Sequence, residues 1–311
     1  MSTVAAPAPA AAADAPDGVI RLYNKDRSIL NQIIGQGFME GMAKANNRVY
    51  LHPVTLAAVV ALAAIIDYKV GYLPDPDIPG SSMAPVIGFA MVALPVLGIV
   101  EWLHRGPFTG RLRGVIGARD LVQAESYYTS PSRFYVFEHK GEVRGELALD
   151  ARHPTAVVPT VLGAEEGEVS QDKNVLRQRG KKDKKDEGGA AAGLAEIRHL
   201  DIDSPVRRKG VATELVATAL DHAFGIAGLD GSPAAKAGAI TRVVVLTSPF
   251  TPGGDKFWTK LGFSPVPASE SAGWRVDGPL GLLKQSGHWL AVDAATWTRK
   301  RDELAAPKKD D

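Results

Sequence analysis

The stretch Arg207-Arg208-Lys209-Gly210-Val211-Ala212 follows a strand-like run, Leu194 to Ile202, and opens a segment, Ala212 to Phe224, whose Leu215, Ala219 and Leu220 recur at helical spacing. Gly210 lets the backbone turn tightly, and Ala212 leaves room for a ligand to approach the main chain. At such a helix start successive N–H groups point into one hollow, and the positive end of the macrodipole favours a phosphate there. Arg207, Arg208 and Lys209 add full charges. The stretch therefore has the makings of a pyrophosphate site built chiefly from backbone. It lacks the Gly-Lys-Ser/Thr of a Walker loop and the G-x-G-x-x-G of a dinucleotide fingerprint. Spacing alone also fits an ordinary strand-to-helix turn with solvated arginines.

The surrounding chain has 311 residues, a formal charge of +1, 45% hydrophobic and 23% charged residues, which excludes wholesale disorder and a polycation for nucleic acid. With no cysteine, thiolate metal sites, disulfide scaffolds and cysteine nucleophiles are excluded. Catalysis, if present, uses oxygen, nitrogen or backbone groups.

Working toward the N-terminus, residues 1–17 are nearly all Ala and Pro and form an expected disordered tail. Val19 to Tyr23 alternates like a half-buried strand, and Asn24 or Asp26 can cap a helix with Ile29, Ile33, Ile34 and Phe38 on one face, so 18–48 holds a strand and a helix. Val49 to Ile66 and Ile78 to Val100 are uncharged runs of eighteen and twenty-three residues. They predict a transmembrane helical hairpin over 49–104, a buried core hairpin being the alternative. Lys44 and Arg48 before it, and Arg105, Arg111 and Arg113 after it, orient both flanks toward the cytosol.

Beyond the hairpin, 105–162 holds a short helix (Arg119 to Tyr128) and two strands, Arg133 to His139 and Glu142 to Leu149, joined at Lys140-Gly141. Residues 163–193, acidic then basic and without an aromatic residue, form an expected solvated insertion. The half from 194 to 300 adds a strand from Ile240 to Leu246, a short helix from Gly254 to Leu261 and a strand from His288 to Val292. Residues 301–311 form an expected disordered, polar tail.

This order of elements, with Arg207, Gly210 and Ala212 at the loop and Lys260-Leu-Gly-Phe263 after the short helix, resembles the GNAT superfamily of N-acetyltransferases. The hairpin inserted after the first helix, and the run His199 to Asp203, resemble its camello-like, membrane-anchored branch. The resemblance implies an α+β fold, a mixed, mostly antiparallel sheet flanked by helices, with acetyl-CoA as co-substrate. It implies that Arg207, Arg208, Lys209, Gly210, Val211, Ala212 and Thr213 hold the pyrophosphate, that Leu200, Asp201 and Ile202 offer backbone to pantetheine, and that Trp258 lines the cofactor. It also implies residence in the endoplasmic reticulum membrane, with both termini and the transferase domain cytosolic.

Acetyl transfer to an amine needs a polarised thioester, a neutral amine and a proton for the thiolate. His199, or Glu196 on the same strand, is the candidate base, because histidine titrates closest to neutrality. Arg133, Arg144 and Arg198 are candidates to face a carboxylate of the acceptor, an amino acid, conjugate or protein lysine. Two departures from the resemblance stand out. Trp258 occupies the place of the family's usual Tyr and carries no acid, and Thr251 stands for the usual Asn. They keep open a second reading, a degenerate transferase fold serving as a membrane-anchored helper. The partners expected are acetyl-CoA, an amine acceptor and the bilayer, with no nucleic acid.

Overall fold

The computed structural model describes residues 18–24, 27–72, 74, 77, 81–151, 193–227, 229, 240–251, 253–274 and 278–305. The two expected tails and the charged insertion lie outside these, except for Gly193 and the stretch 301–305. Seven strands form one sheet in the order β1-β2-β3-β4-β5-β7-β6, where β1 is Val19–Leu22, β2 Arg133–His139, β3 Glu142–Asp150, β4 Gly193–Ile202, β5 Ile240–Thr247, β6 Ser264–Pro265 and β7 His288–Asp293. Among the described strands only β4 and β5 run parallel. The sheet is thus mixed and mostly antiparallel, as the resemblance implies.

Helices cover both faces. On one, α6 (Val211–Ala223), the short α7 (Gly254–Lys260) and α8 (Ala294–Ala305) enclose the main core with Leu147, Leu149, Ile197, Leu215, Val243 and Trp297. On the other, α1 (Arg27–Tyr50) and the four-residue helices α4 (Arg119–Val122) and α5 (Ala124–Tyr127) pack a second core onto β2 and β3. The buried stripe of α1, Leu30, Ile33, Ile34, Gly37, Gly41, Ala45 and Val49, keeps helical spacing along its whole length. It starts at Leu30 rather than at Ile29, which is exposed. Helix α8 carries the polar run past residue 301, because Trp297 anchors it: its indole Nε1 donates to Asp221 Oδ1 at 2.9 Å.

The uncharged runs are helices α2 (Pro53–Val70) and α3 (Ala84–Ile116), both long and apolar enough to cross a membrane. They meet along Val59, Ala63 and Val92, while Val60, Leu62, Ile65, Ile87, Met91 and Leu94 are exposed. Only 17% of each apolar window is buried, so these helices do not form the interior of this chain. Helix α3 runs well past residue 104. Its charged last third remains helical because Phe108 packs on Met42, Ala45 and Phe250, a contact that hydropathy does not register.

Candidate functional site

The parallel pair β4–β5 comes apart. Backbone pairing runs from Gly193↔Ile240 to Ile197↔Val245 and stops there, although β4 continues to Ile202 along β3. A bulge lies at the same point: Ala148 faces His199 and Leu149 faces Ile197, leaving Arg198 as the extra residue. Beyond the bulge, β4 pairs with β3 alone as far as Ile202, so the two parallel strands part and leave a crevice site between them from His199 onward. Leu200 and Ile202 turn toward the main core.

At the open end β4 leads through a short turn, Ser204–Val206, into the glycine loop. Arg208 (φ 63) and Gly210 (φ 88) are both left-handed, a backbone course that tips the loop out of the helix line. Val211, Ala212 and Thr213 form the first turn of α6, so their N–H groups have no intrahelical acceptor. Nothing lies within 4 Å of where a Gly210 side chain would begin. Arg208 and Lys209 are exposed beside it. Arg207 differs from them: its Nε donates to the Ile202 carbonyl at 2.7 Å and its guanidinium pairs with Glu40 of α1. It ties the loop to the end of β4 and to α1. Trp258 is 3% exposed and packs edge-on against Phe257 and Phe263, within the main core.

His199 faces the α1 side of the sheet, where its Nε2 lies 3.0 Å from Asp120 Oδ2. Burial pushes the Asp120 carboxyl up. The hydrogen bond and charge of His199, the charge of Arg198 and the Tyr128 hydroxyl outweigh burial and hold it below the ordinary carboxylate range. An ionised carboxylate only accepts, so His199 donates Nε2–H to it, and Nδ1 is the nitrogen that carries a lone pair whenever the ring is neutral. Tyr128 supports the arrangement by donating to Asp120 Oδ2 at 3.2 Å.

Glu196 is buried, with Oε2 3.7 Å from the Arg198 guanidinium. Arg198 also donates to Asp150 at 2.7 Å, and Arg144 donates to Asp203 at 2.6 Å. Both arginines thus hold carboxylates of this chain, and Arg133 donates to the Ser132 carbonyl at 3.2 Å.

Four residues of this region go unmarked by any motif: Asp120, Tyr128, Glu40 and Glu146. Glu146 carries no such signal, because it follows Glu142 and Arg144 on alternate positions of β3 and reads as a third residue of the polar face. It stands opposite Asp201 in the β3–β4 register, fully buried, and neither of its carboxyl oxygens has a hydrogen-bond partner. Burial, reinforced by the charges of Asp201 and Asp120, holds it well above the ordinary range. Burial also pushes Asp201 up to about 6, against the pull of His199 and Arg207.

One face of α1 spans the crevice. Gly37 lies against the Asp201 carboxylate, Glu40 against Arg207, and Lys44 Nζ donates to the Thr251 carbonyl at 3.0 Å. A turn further on, a cavity of about 390 Å³ lies between Lys44, Asn47 and Arg48 of α1 and Pro249, Thr251, Gly253 and Gly254 after β5. Burial lowers the Lys44 pKa, Glu40 opposes this, and Arg207 and Arg48 reinforce it. Among the described residues no group of three or more His, Asp or Glu side chains is arranged to hold a metal ion.

No family model matches the chain, and no curated protein matches it. Solved structures similar to it include a GNAT-family acetyltransferase from Staphylococcus aureus Mu50, 10% identical over 89% of this chain and 98% of that one, with a TM-score of 0.35. Another is the ribosomal-protein-S18-alanine N-acetyltransferase of Escherichia coli, 9% identical over 56% of this chain and 76% of that one, with a TM-score of 0.31. A third is N-acetylglutamate synthase from Neisseria gonorrhoeae complexed with coenzyme A and N-acetyl-glutamate, 17% identical over 51% of this chain, with a TM-score of 0.28. The match spans only 25% of that synthase's length. At these scores, what the chain does is read from its own residues.

Proposed function

We propose that this chain is a membrane-anchored N-acetyltransferase of the GNAT type, moving an acetyl group from acetyl-CoA to a primary amine. One observation carries the reading: β4 and β5 part beside a glycine-led helix start. Such a crevice offers the β4 backbone past the end of the β5 ladder to an extended pantetheine chain, and amide donors to a diphosphate in the same groove. The open space around Gly210 and the unpaired first turn of α6 fit the coenzyme. Arg208 and Lys209 supply charge to the diphosphate, while Arg207 fixes the loop through Glu40.

In the reaction the neutral amine attacks the thioester carbonyl, a C–N bond forms, the C–S bond breaks and its electron pair leaves on the CoA thiolate. His199 Nδ1 takes the proton of the acceptor ammonium, directly or through water, and Asp120 stabilises the resulting imidazolium through Nε2–H. Once attacked, the nitrogen gives up its second proton, which water relays to the thiolate to form the CoA thiol, since the buried Trp258 indole is no acid. We further propose that α2 and α3 anchor the domain in the endoplasmic reticulum membrane, with both termini on the cytosolic side, where the basic flanks would lie.

A second reading, a membrane-anchored helper without turnover, draws on Trp258, which brings no acid to the crevice, and on the engagement of Arg207 within the chain. Titration of acetyl-CoA into the purified full chain, followed by release of free CoA with a panel of amines, separates the two. Turnover supports the enzyme, binding without turnover supports the helper, and no binding removes both the coenzyme site and the activity.

A further inference from the structure

Between β6 and β7 the segment Leu280 to Gln285 makes a tight turn. Leu280 and Gln285 exchange backbone hydrogen bonds of 2.9 and 3.1 Å, and Lys284 N–H bonds to the Gly281 carbonyl at 3.0 Å. Gly281 (φ 74) and Lys284 (φ 47) are both left-handed, a conformation that lysine seldom adopts. Three contacts hold the turn in place. Leu280 packs on Phe108 and Phe250, the Leu282 N–H donates to His104 Nε2 at 2.9 Å, and the Gln285 side chain accepts from Arg48. The tip is left uncovered: Leu282 and Leu283 are each 42% exposed.

A scattered exposed leucine is ordinary. Here the position is what matters. The bond to His104 fixes the turn four residues past Val100, where the uncharged run of α3 ends, or about 6 Å along a helix rising 1.5 Å per residue. The Tyr50 hydroxyl, bonded to the Leu97 carbonyl at 3.1 Å, holds the end of α1 against the last turn of the uncharged run, about 10 Å before His104 along the helix. A headgroup layer extends roughly 5–7 Å beyond the hydrocarbon on each side of a bilayer. Trp102, 74% exposed, and Leu51, 72% exposed, mark this level on the two helices. Arg48 and Lys284 set cations beside the leucine pair. An apolar tip flanked by cations at the end of a span suits an anionic lipid surface.

We infer that the turn Leu280–Gln285 is a third point of contact with the bilayer, its Leu282–Leu283 tip lying among the lipid headgroups where α1 meets the membrane. The inference rests on the reading of α2 and α3 as membrane spans. It also places the cavity at the membrane surface, because Arg48 both holds the turn and lines the cavity, so an amphiphilic acceptor reaches it from the bilayer.

The chain has no cysteine, so a single introduced thiol is a unique labelling point. Leu283→Cys, Leu62→Cys on the exposed face of α2 and Ala295→Cys, exposed just past the end of β7 that pairs with the start of β5, are each labelled with bimane. The full chain is then reconstituted in nanodiscs of phosphatidylcholine and phosphatidylserine carrying quencher lipids. Quenching at 283 is expected to be at least threefold stronger with a headgroup-level quencher than with one at the acyl-chain end. Leu62→Cys should show the opposite order, and Ala295→Cys should respond to neither. If position 283 behaves like 295 while 62 is quenched, the turn does not touch lipid and the inference is wrong, though the spans stand. If 62 is unquenched as well, the spans themselves are refuted and the inference falls with them.

Discussion

His199 of β4 donates its Nε2–H to the buried carboxylate of Asp120, 3.0 Å away on a helix of four residues, and the bond leaves Nδ1 as the basic nitrogen. Asp120 belongs to neither the sheet nor the glycine loop. It fixes a tautomer at the point where β4 leaves β5.

The pair predicts a graded loss of activity. General-base catalysis contributes about 10²–10⁴-fold, so His199→Ala lowers kcat by about that factor. Asp120→Asn leaves the imidazole in place with the wrong proton arrangement and lowers kcat by at least about 10-fold. Both variants bind acetyl-CoA like the wild type. Steady-state kinetics with isothermal titration calorimetry checks this, and an Asp120→Asn enzyme of unchanged kcat and pH profile removes the dyad from the mechanism.

Gly210 is held at φ 88 with open space around it, so a side chain there meets conformational strain rather than a clash. Gly210→Ala costs about 1–2 kcal/mol of stability, the penalty of a left-handed non-glycine residue. The strain relaxes by moving the loop, which weakens acetyl-CoA binding by about tenfold or more while His199 and Asp120 stay in place. Thermal unfolding and coenzyme titration of this one variant read both effects.

Much of this arrangement was legible in the sequence, and for identifiable reasons. Alternation marked β1, the turn Lys140-Gly141 marked the β2–β3 hairpin, β-branched residues marked β5, and the stretch around Gly210 marked a helix start that the structure places at Val211. Two long uncharged runs marked α2 and α3. What stayed hidden depends on contacts between distant segments. Asp120 gains its meaning only when the sheet brings His199, seventy-nine positions later, beside it. Arg207 looked like a phosphate ligand from its neighbours, yet Glu40, far back along α1, engages its guanidinium. Trp258 sits in the core, a burial that no spacing rule reveals.

Glu146 and Asp201, opposed across β3 and β4, give the fold an unusual pH dependence. Their folded pKa values are raised, so the stability they contribute is greatest below the unfolded carboxylate range, near pH 4. It is lost as pH rises through the folded values, about 6 for Asp201 and well above the ordinary carboxylate range for Glu146. Each retained proton makes the fold less stable by up to about 1.4 kcal/mol per pH unit in that window. Glu146→Gln mimics the protonated form and flattens the slope, so its melting temperature exceeds the wild-type value at pH 8 and matches it near pH 5. Melting curves from pH 5 to 8 in detergent check this, and parallel slopes for the two proteins would show that Glu146 is ionised throughout.

The claim beneath all of this is that coenzyme A lies in the crevice between β4 and β5 with its diphosphate on the amides of α6. Calorimetric titration of acetyl-CoA into the detergent-solubilised full chain measures that directly. One site per chain with micromolar affinity, weakened at least tenfold by Gly210→Ala, is the expected result. Absence of heat at millimolar acetyl-CoA, or equal affinity in the glycine variant, contradicts it.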